Sequence, residues 1–161
     1  MPTITPNLWF EKDAEAAAKL YCSIFPDSRI IDQHTYENTG PDGNETATTV
    51  TFEVLGQRVI GLNAGPAFKL DEAFSFMVEC DTQDEVDEYW DKLTADGGEE
   101  SMCGWLKDRY GVSWQIVPKL LEELLRDEDP EKAKRVMHAM LQMKKIDSEE
   151  LRRAFNEPAR V

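Results

Sequence analysis

The sequence is short of several things that would otherwise narrow its chemistry. It has two histidines, His34 and His138, and three cysteines, Cys22, Cys80 and Cys103, with no C-x-x-C spacing. An odd cysteine count without that spacing argues against a disulfide framework and against a zinc knuckle. No apolar run approaches the roughly 20 residues that a membrane-spanning helix needs. The N-terminal stretch MPTITPNLWFEKD has neither the basic start nor the long apolar core of a secretory signal, so a reducing cytoplasm is the expected setting. No P-loop, nucleophile elbow or H-E-x-x-H motif occurs. Basic residues are scarce as well: 18 Lys and Arg stand against 32 Asp and Glu, for a net charge of −14. The deficit lies wholly in residues 1–118, with 8 basic against 22 acidic residues, while residues 119–161 balance 10 against 10. Such an acidic body repels a phosphate backbone or an anionic bilayer, which excludes nucleic acid and membrane as partners.

What is present reads as one folded domain. The chain has 161 residues, 41% hydrophobic and 31% charged, enough for a single packed core. Two stretches begin alike. Ile4 to Phe10 alternates as a strand and leads through Glu11-Lys12-Asp13 into a helical pattern with Ala17, Leu20, Tyr21 and Ile24 on one face, Asp13 serving as N-cap. Phe74 to Cys80 leads into a capping box, Thr82 with Glu85, and an apolar stripe of Val86, Tyr89, Trp90 and Leu93.

Three strand-like pieces follow each helix. After the first come Arg29–Tyr36, Thr48–Leu55 and Arg58–Asn63, with a polar loop over residues 37–45 and a turn at Gly56-Gln57. After the second come Glu99–Met102, Gly104–Asp108 and Val112–Val117. A strand–helix–strand–strand–strand unit is thus written twice, about 70 residues apart. The expected layout is module one over about 1–70, module two over about 71–118 and a helical extension over 119–161. In the extension, Asp129-Pro130 opens a helix with Ala133, Val136, Met137, Met140 and Leu141 on one face. Asp147 and Glu150 form another capping box, stapled by Ile146 and Leu151. A stripe this clear is expected to dock on its own domain, a dimer contact being the alternative.

The segments LWFEKDAEAAAKLYCSIFPDSRI, GLNAGPAFK, SFMVECD, CGWLKDRYGVSWQIVP and MLQMKKID together resemble the PhnB-like branch of the vicinal oxygen chelate (glyoxalase/bleomycin resistance/dioxygenase) superfamily, often labelled 3-demethylubiquinone-9 3-methyltransferase-like. The resemblance implies an α+β fold of two βαβββ modules forming curved mixed sheets around a shared cleft, with C-terminal helices added. It also implies a homodimer and, in the cleft, a small organic ligand.

Alternate residues of a strand share a face, so parity assigns side chains to core or cleft. Leu8, Phe10, Val50, Phe52, Val54, Ile60, Leu62, Phe74, Phe76, Val78, Cys80, Trp114 and Ile116 are expected in the core. The cleft then receives Asn7, Trp9, Thr49, Thr51, Glu53, Gly61, Asn63, Ser75, Met77, Glu79, Ser113, Gln115 and Val117. Of these, Asn7, Trp9, Asn63, Ser75, Met77 and Gln115, with Trp105 as a further apolar wall and Phe68 from the loop Gly65–Lys69, are the candidate ligand-binding residues. Trp90 reads as packing, and parity does not decide Trp105.

In metal-dependent members of the superfamily, His or Glu stands at one position in each of four strands. By motif these positions fall near Thr5 or Pro6, at Gly61, at Ser75 and at Gln115, none of which offers imidazole or carboxylate. The resemblance's metal chemistry is therefore not carried over, and no metal or other cofactor is expected. Glu53 and Glu79 are the only acids that parity sends to the cleft, which makes them the candidate general acid or base. The bland alternative is a solvated strand residue at the sheet rim. Cys103 has only Lys107 nearby to activate it and reads as inert. Methyl transfer is rejected, because Gly61-Leu62-Asn63-Ala64-Gly65-Pro66 does not open a helix as a Rossmann-type cofactor site requires. The expected function is metal-free binding of a small organic molecule. The alternative is an isomerase, lyase or dioxygenase working through Glu53 or Glu79.

Overall fold

Repeated alternation and helical periodicity produce two units of the same topology in the structure, a computed structural model that describes residues 1–157. Residues 158–161 of the expected extension lie outside the described residues. The compact units are Met1–Leu70 and Asp71–Val161.

The first unit runs β1 (Asn7–Phe10), α1 (Ala14–Ile24), β2 (Arg29–Thr39), β3 (Glu45–Val54) and β4 (Gln57–Asn63). Its sheet order is β1-β4-β3-β2, with β1 parallel to β4 and the other pairs antiparallel. Helix α1 buries Ala14, Ala17, Ala18, Tyr21 and Ile24 against one face of the sheet, which presents Leu8, Phe10, Val50, Phe52 and Val59. Small residues let the helix come close: a Cβ on Gly61 would stand 3.0 Å from the Cβ of Ala14.

Two expectations are corrected here. The face assignment of β4 is reversed: Val59 and Gly61 are buried on the helix side with Asn63, and Ile60 and Leu62 are on the other face. The turn is Leu55-Gly56, both with positive φ (50° and 79°), rather than Gly56-Gln57, but either two-residue turn gives the same parity. The cause is the pairing with β3: Val54 stands opposite Gln57, Phe52 opposite Val59 and Val50 opposite Gly61. The odd-numbered residues of β4 therefore share the helix side with Val50, Phe52 and Val54, although Ile60 and Leu62 are the larger apolar side chains. The polar stretch over residues 37–45 is a shorter loop than expected, reduced to residues 40–44. β2 continues to Thr39 and β3 starts at Glu45, through a register irregularity between Tyr36 and Thr39.

The second unit runs β5 (Ser75–Cys80), α2 (Gln83–Thr94), β6 (Glu99–Glu100), β7 (Trp105–Lys107) and β8 (Ser113–Pro118), in sheet order β5-β8-β7-β6 with β5 parallel to β8. The Thr82 hydroxyl accepts from the Glu85 N–H and caps α2, as the capping box predicts. The core between helix and sheet is built on tryptophans. The Trp90 indole donates to Glu100 at 2.8 Å, and that of Trp114 donates to Asp108 at 2.9 Å. Asp108, only 3% exposed, also accepts from the N–H groups of Tyr110 and Val112. Burying an aromatic of this size with its N–H satisfied is the stable arrangement. Phe74, expected in the core, lies just before β5 and is exposed, with its ring edge-on to Phe76.

The extension forms α3 (Lys119–Leu125), α4 (Pro130–Leu141) and α5 (Ser148–Asn156). Asp129 and Asp147 cap α4 and α5 through their side chains. Leu121, Val136, Ile146 and Leu151 form their own buried cluster, against which Val117 of β8 packs. Polar contacts fasten the extension to the second unit. Met143 and Lys144 carbonyls accept from Cys103 and Gly104 N–H, both at 2.8 Å. The Gln83 amide donates to the Ile146 carbonyl and accepts from Ser148 N–H, again at 2.8 Å. The expected stripe on α4 is narrower than its periodicity suggests: Val136 is fully buried, while Met137 and Leu141 face outward. No helix among the described residues is long and apolar enough to cross a membrane.

Candidate functional site

In each unit the helix covers one face of the sheet, and the functional residues that parity selects are sought on the other. On the first sheet that face carries Asn7, Trp9, Thr49, Thr51, Glu53, Ile60 and Leu62, as the register dictates by pairing Trp9 with Leu62, Asn7 with Ile60 and Thr51 with Ile60. Trp9 is half-buried and its position is fixed twice. The indole N–H donates to the Gly65 carbonyl at 2.9 Å, and the Phe68 ring meets Trp9 edge-on at 4.9 Å. The loop after β4 is therefore folded back on Trp9, with Phe68 itself still 65% exposed. Asn7 is exposed and its amide bonds locally to the Thr5 carbonyl.

Asn63 does different work from that expected of it. Its Oδ1 accepts from the Ala14 N–H at 2.8 Å, whereas Asp13, at the N-cap position, makes no side-chain capping bond. Asn63 thus caps α1 from a neighbouring strand, on the helix-covered face, and leaves the open face without it. Glu53 is held by the facing Arg29 across the β2–β3 pair at 3.4 Å.

On the second sheet two rows cross the open face. One runs Ser75, Ser113, Lys107, Glu99 and the next runs Met77, Gln115, Trp105. Gln115 Nε2 donates to Ser75 Oγ at 3.0 Å. Met77 is exposed and Trp105 is half-buried, so the second row is apolar at both ends and polar in the middle. Glu79 is exposed on β5, opposite Val117.

Lys107 forms an ion pair with Glu72, and that bond lowers the Glu72 carboxyl and raises the Lys107 ammonium relative to their ordinary values. A small cavity of about 140 Å3 lies here, lined by Glu72, Glu99, Ser101, Trp105, Lys107 and Ser113 among others. Parity had placed Ser113 on this face without selecting it. Glu72 and Glu99 carry no local signal, since only the register brings Glu99 opposite Lys107. A larger open groove of about 770 Å3, with Lys134, Met137, His138 and Leu141 on its walls, is formed by the extension alone and includes none of the expected site residues.

Nucleophiles and metal donors complete the inventory. Burial pushes the Cys80 thiol up to about 12 and raises that of Cys22, which leaves both thiols protonated and unreactive. Among the described residues no group of three or more His, Cys, Asp and Glu is placed to hold a metal ion. At the positions where the resemblance would have metal ligands, Gly61 is under α1, and Ser75 and Gln115 are bonded to each other as neutral groups. These residues do not suit a transition metal, which prefers imidazole or charged oxygen.

Comparison with known proteins agrees with this architecture. A putative 3-demethylubiquinone-9 3-methyltransferase, a PhnB protein from Bacillus cereus, has 34% identity over 73% of this chain and 99% of its own, with a TM-score of 0.63. Two fosfomycin resistance proteins, both FosX, share the fold. That of Listeria monocytogenes, solved with Mn(II) and sulfate, has 19% identity over 78% of this chain and 98% of its own, with a TM-score of 0.51. That of Mesorhizobium loti has 14% identity over the same shares, with a TM-score of 0.54. No functionally curated protein matches. Residues 2–117, which end just before the helical extension begins, match the family described as 3-demethylubiquinone-9 3-methyltransferase, and together with the Bacillus relative they show that the chain belongs to that family.

Proposed function

We propose that the protein binds a small organic molecule on its open sheet faces without a metal ion. The observation that carries this reading is the Gln115–Ser75 hydrogen bond at 3.0 Å, flanked by Met77 and Trp105. A neutral amide and hydroxyl stand where the resemblance would have metal ligands, in a setting of apolar walls and convergent polar groups typical of ligand sites. In the first unit, taken by itself, Trp9 with Phe68 seated on it offers an apolar surface of its own. Asn63 drops out of the binding set because α1 consumes its side chain. A homodimer, as the resemblance implies, and a cytoplasmic location, in keeping with the unpaired cysteines, belong to the same proposal.

The Mn(II) complex of FosX from Listeria monocytogenes belongs to a protein of 19% identity, and among the described residues here no three or more His, Cys, Asp or Glu side chains are grouped to hold such an ion. Methyl transfer is equally unsupported by local structure: β4 runs into a helix-free segment over residues 64–74, so the glycine-bearing stretch Gly61–Pro66 opens no helix that could cradle a nucleotide-like cofactor. Nor does Glu53, paired with Arg29, favour the enzyme reading.

The test is elemental mass spectrometry of purified, untagged protein before and after chelation, paired with Trp-fluorescence titration against a library of small aromatic compounds. The expected result is no stoichiometric metal and saturable quenching that Trp9→Ala or Trp105→Ala diminishes. Stoichiometric zinc, nickel, manganese or iron would overturn the metal-free reading.

A further inference from the structure

The cavity beside Lys107 holds a buried polar atom with no partner. Ser113 is 1% exposed and its hydroxyl makes no hydrogen bond within the protein. Native proteins seldom leave a buried hydroxyl unsatisfied, because it has given up water without compensation. This one opens into a cavity of about 140 Å3, shared with Trp105, Lys107, Glu72 and Glu99. That volume is well above the roughly 10–15 Å3 a single water needs. It is below the roughly 300–1,000 Å3 of a pocket for an entire drug-sized ligand. The cavity therefore suits one end of a molecule whose body lies along the Met77–Gln115–Trp105 row.

The charges select the chemistry of that end. Lys107 is already neutralised by Glu72, and Glu99 faces it across the β6–β7 pair. Glu100, also at the cavity, has its carboxylate engaged by the Trp90 indole. An incoming carboxylate or phosphate would meet surplus negative charge, and an incoming ammonium, although drawn to Glu99, carries no acceptor for Lys107 and Ser113 to donate to. The groups that converge are donors (Lys107, Ser113) and acceptors (Glu72, Glu99, Ser113) in near balance. Their complement is an uncharged group that both gives and takes hydrogen bonds. Two adjacent hydroxyls meet that description, with carboxylates accepting from them, Lys107 and Ser113 donating to them, and the Trp105 ring covering the carbon skeleton.

Resting on the proposed ligand-binding function, we infer that the Ser113–Lys107–Glu99 cavity takes the vicinal-diol end of an otherwise apolar ligand. The experiment uses four probes with one body and different heads: 1-phenyl-1,2-ethanediol, 2-phenylethanol, 2-phenylethylamine and phenylacetate. Each is titrated into the full-length, isotope-labelled protein, following backbone amides and the four indole N–H signals. The diol is expected to shift Ser113, Lys107 and the Trp105 indole, with affinity about three- to tenfold above the mono-ol and higher still above the two charged probes.

Ser113→Ala should abolish the preference for diol over mono-ol. It should leave the free protein's Tm nearly unchanged, because the hydroxyl bonds to no other group of the protein. A structural serine would lower the Tm instead, and that result counts against the inference. Preference for the amine or the carboxylate would overturn the diol assignment while leaving small-molecule binding intact. Shifts confined to Trp9 and Phe68 would do the same. Absence of any shift at the cavity, with Ser113 exchanging only with water, would overturn it too, and the library titration then judges the binding reading separately.

Discussion

The two units share one topology and reach it by opposite means. In the first, α1 approaches its sheet through alanines, and Gly61 is the residue that leaves room for Ala14. In the second, α2 stands on Trp90 and Trp114, and the polar edges of those rings are absorbed by Glu100 and by the buried Asp108. One core is close-packed by subtraction of side chains and the other is filled by large rings with ionic anchors. A βαβββ unit therefore does not prescribe its core composition. It prescribes a helix over a parallel strand pair, and either solution satisfies the packing density that interiors need.

The sharpest way to break this contrast is at the ionic anchor. Asp108→Ala removes the acceptor of two backbone N–H groups and of the Trp114 indole at once, leaving buried donors unpaired. The expected loss is about 3–5 kcal/mol, read as a fall in denaturation midpoint and in near-UV signal from Trp114. An unchanged midpoint would mean that the anchor is incidental to the second core.

Next in size is the close approach. Gly61→Ala puts a methyl group 3.0 Å from the Ala14 Cβ, and overpacking of this kind costs about 1–3 kcal/mol. Chemical denaturation measures it, and pairing the variant with Ala14→Gly should recover most of the loss that belongs to the clash. Failure of that rescue would point to backbone conformation in place of contact.

The smallest effect sharpens the comparison of the two helix starts. α2 is capped by its own Thr82, whereas α1 is capped from β4 by Asn63. Asn63→Ala is expected to cost about 1 kcal/mol, and Asp13→Ala only a few tenths, in urea unfolding. The reverse ranking would restore Asp13 as the functional cap.

These particulars show where the sequence is a sufficient guide. Thr82 with Glu85, Asp129 before Pro130 and Asp147 before its helix are signals contained within a few residues, and each forms the predicted cap. The duplicated unit is legible for the same reason, since alternation and 3.6-residue periodicity are local properties. The face of β4 is not legible in that way. Bulk points the wrong way there, since Ile60 and Leu62 are larger than Val59 and Gly61, and the decision falls to the pairing with β3, which sets Val59 opposite Phe52 and Gly61 opposite Val50. The same applies to the site. Ser75, Met77 and Gln115 stand on the face that parity anticipates, whereas Trp105, which parity leaves undecided, joins them because the β7–β8 register pairs it with Gln115. The Glu72–Lys107 pair and the Gln83 clasp on the extension join residues 35 and 63 or more positions apart, and no spacing rule foretells them.

β2 has a consequence for how the molecule behaves in a crowded solution. It is an 11-residue strand at the end of the β1-β4-β3-β2 order, so one row of its peptide groups has no neighbour within the sheet. A free edge of that length is a template for zipping onto another chain. Two register irregularities, between Ile30 and Asp32 and between Tyr36 and Thr39, interrupt the template, and Asp32 and Glu37 place charge along it. The exposed pair Ile30-Ile31 sits at the first of these irregularities and is the apolar part of the edge. Chain-to-chain pairing along β2 is therefore expected to depend on that bulge, and Ile31→Lys is the substitution that would add charge to it.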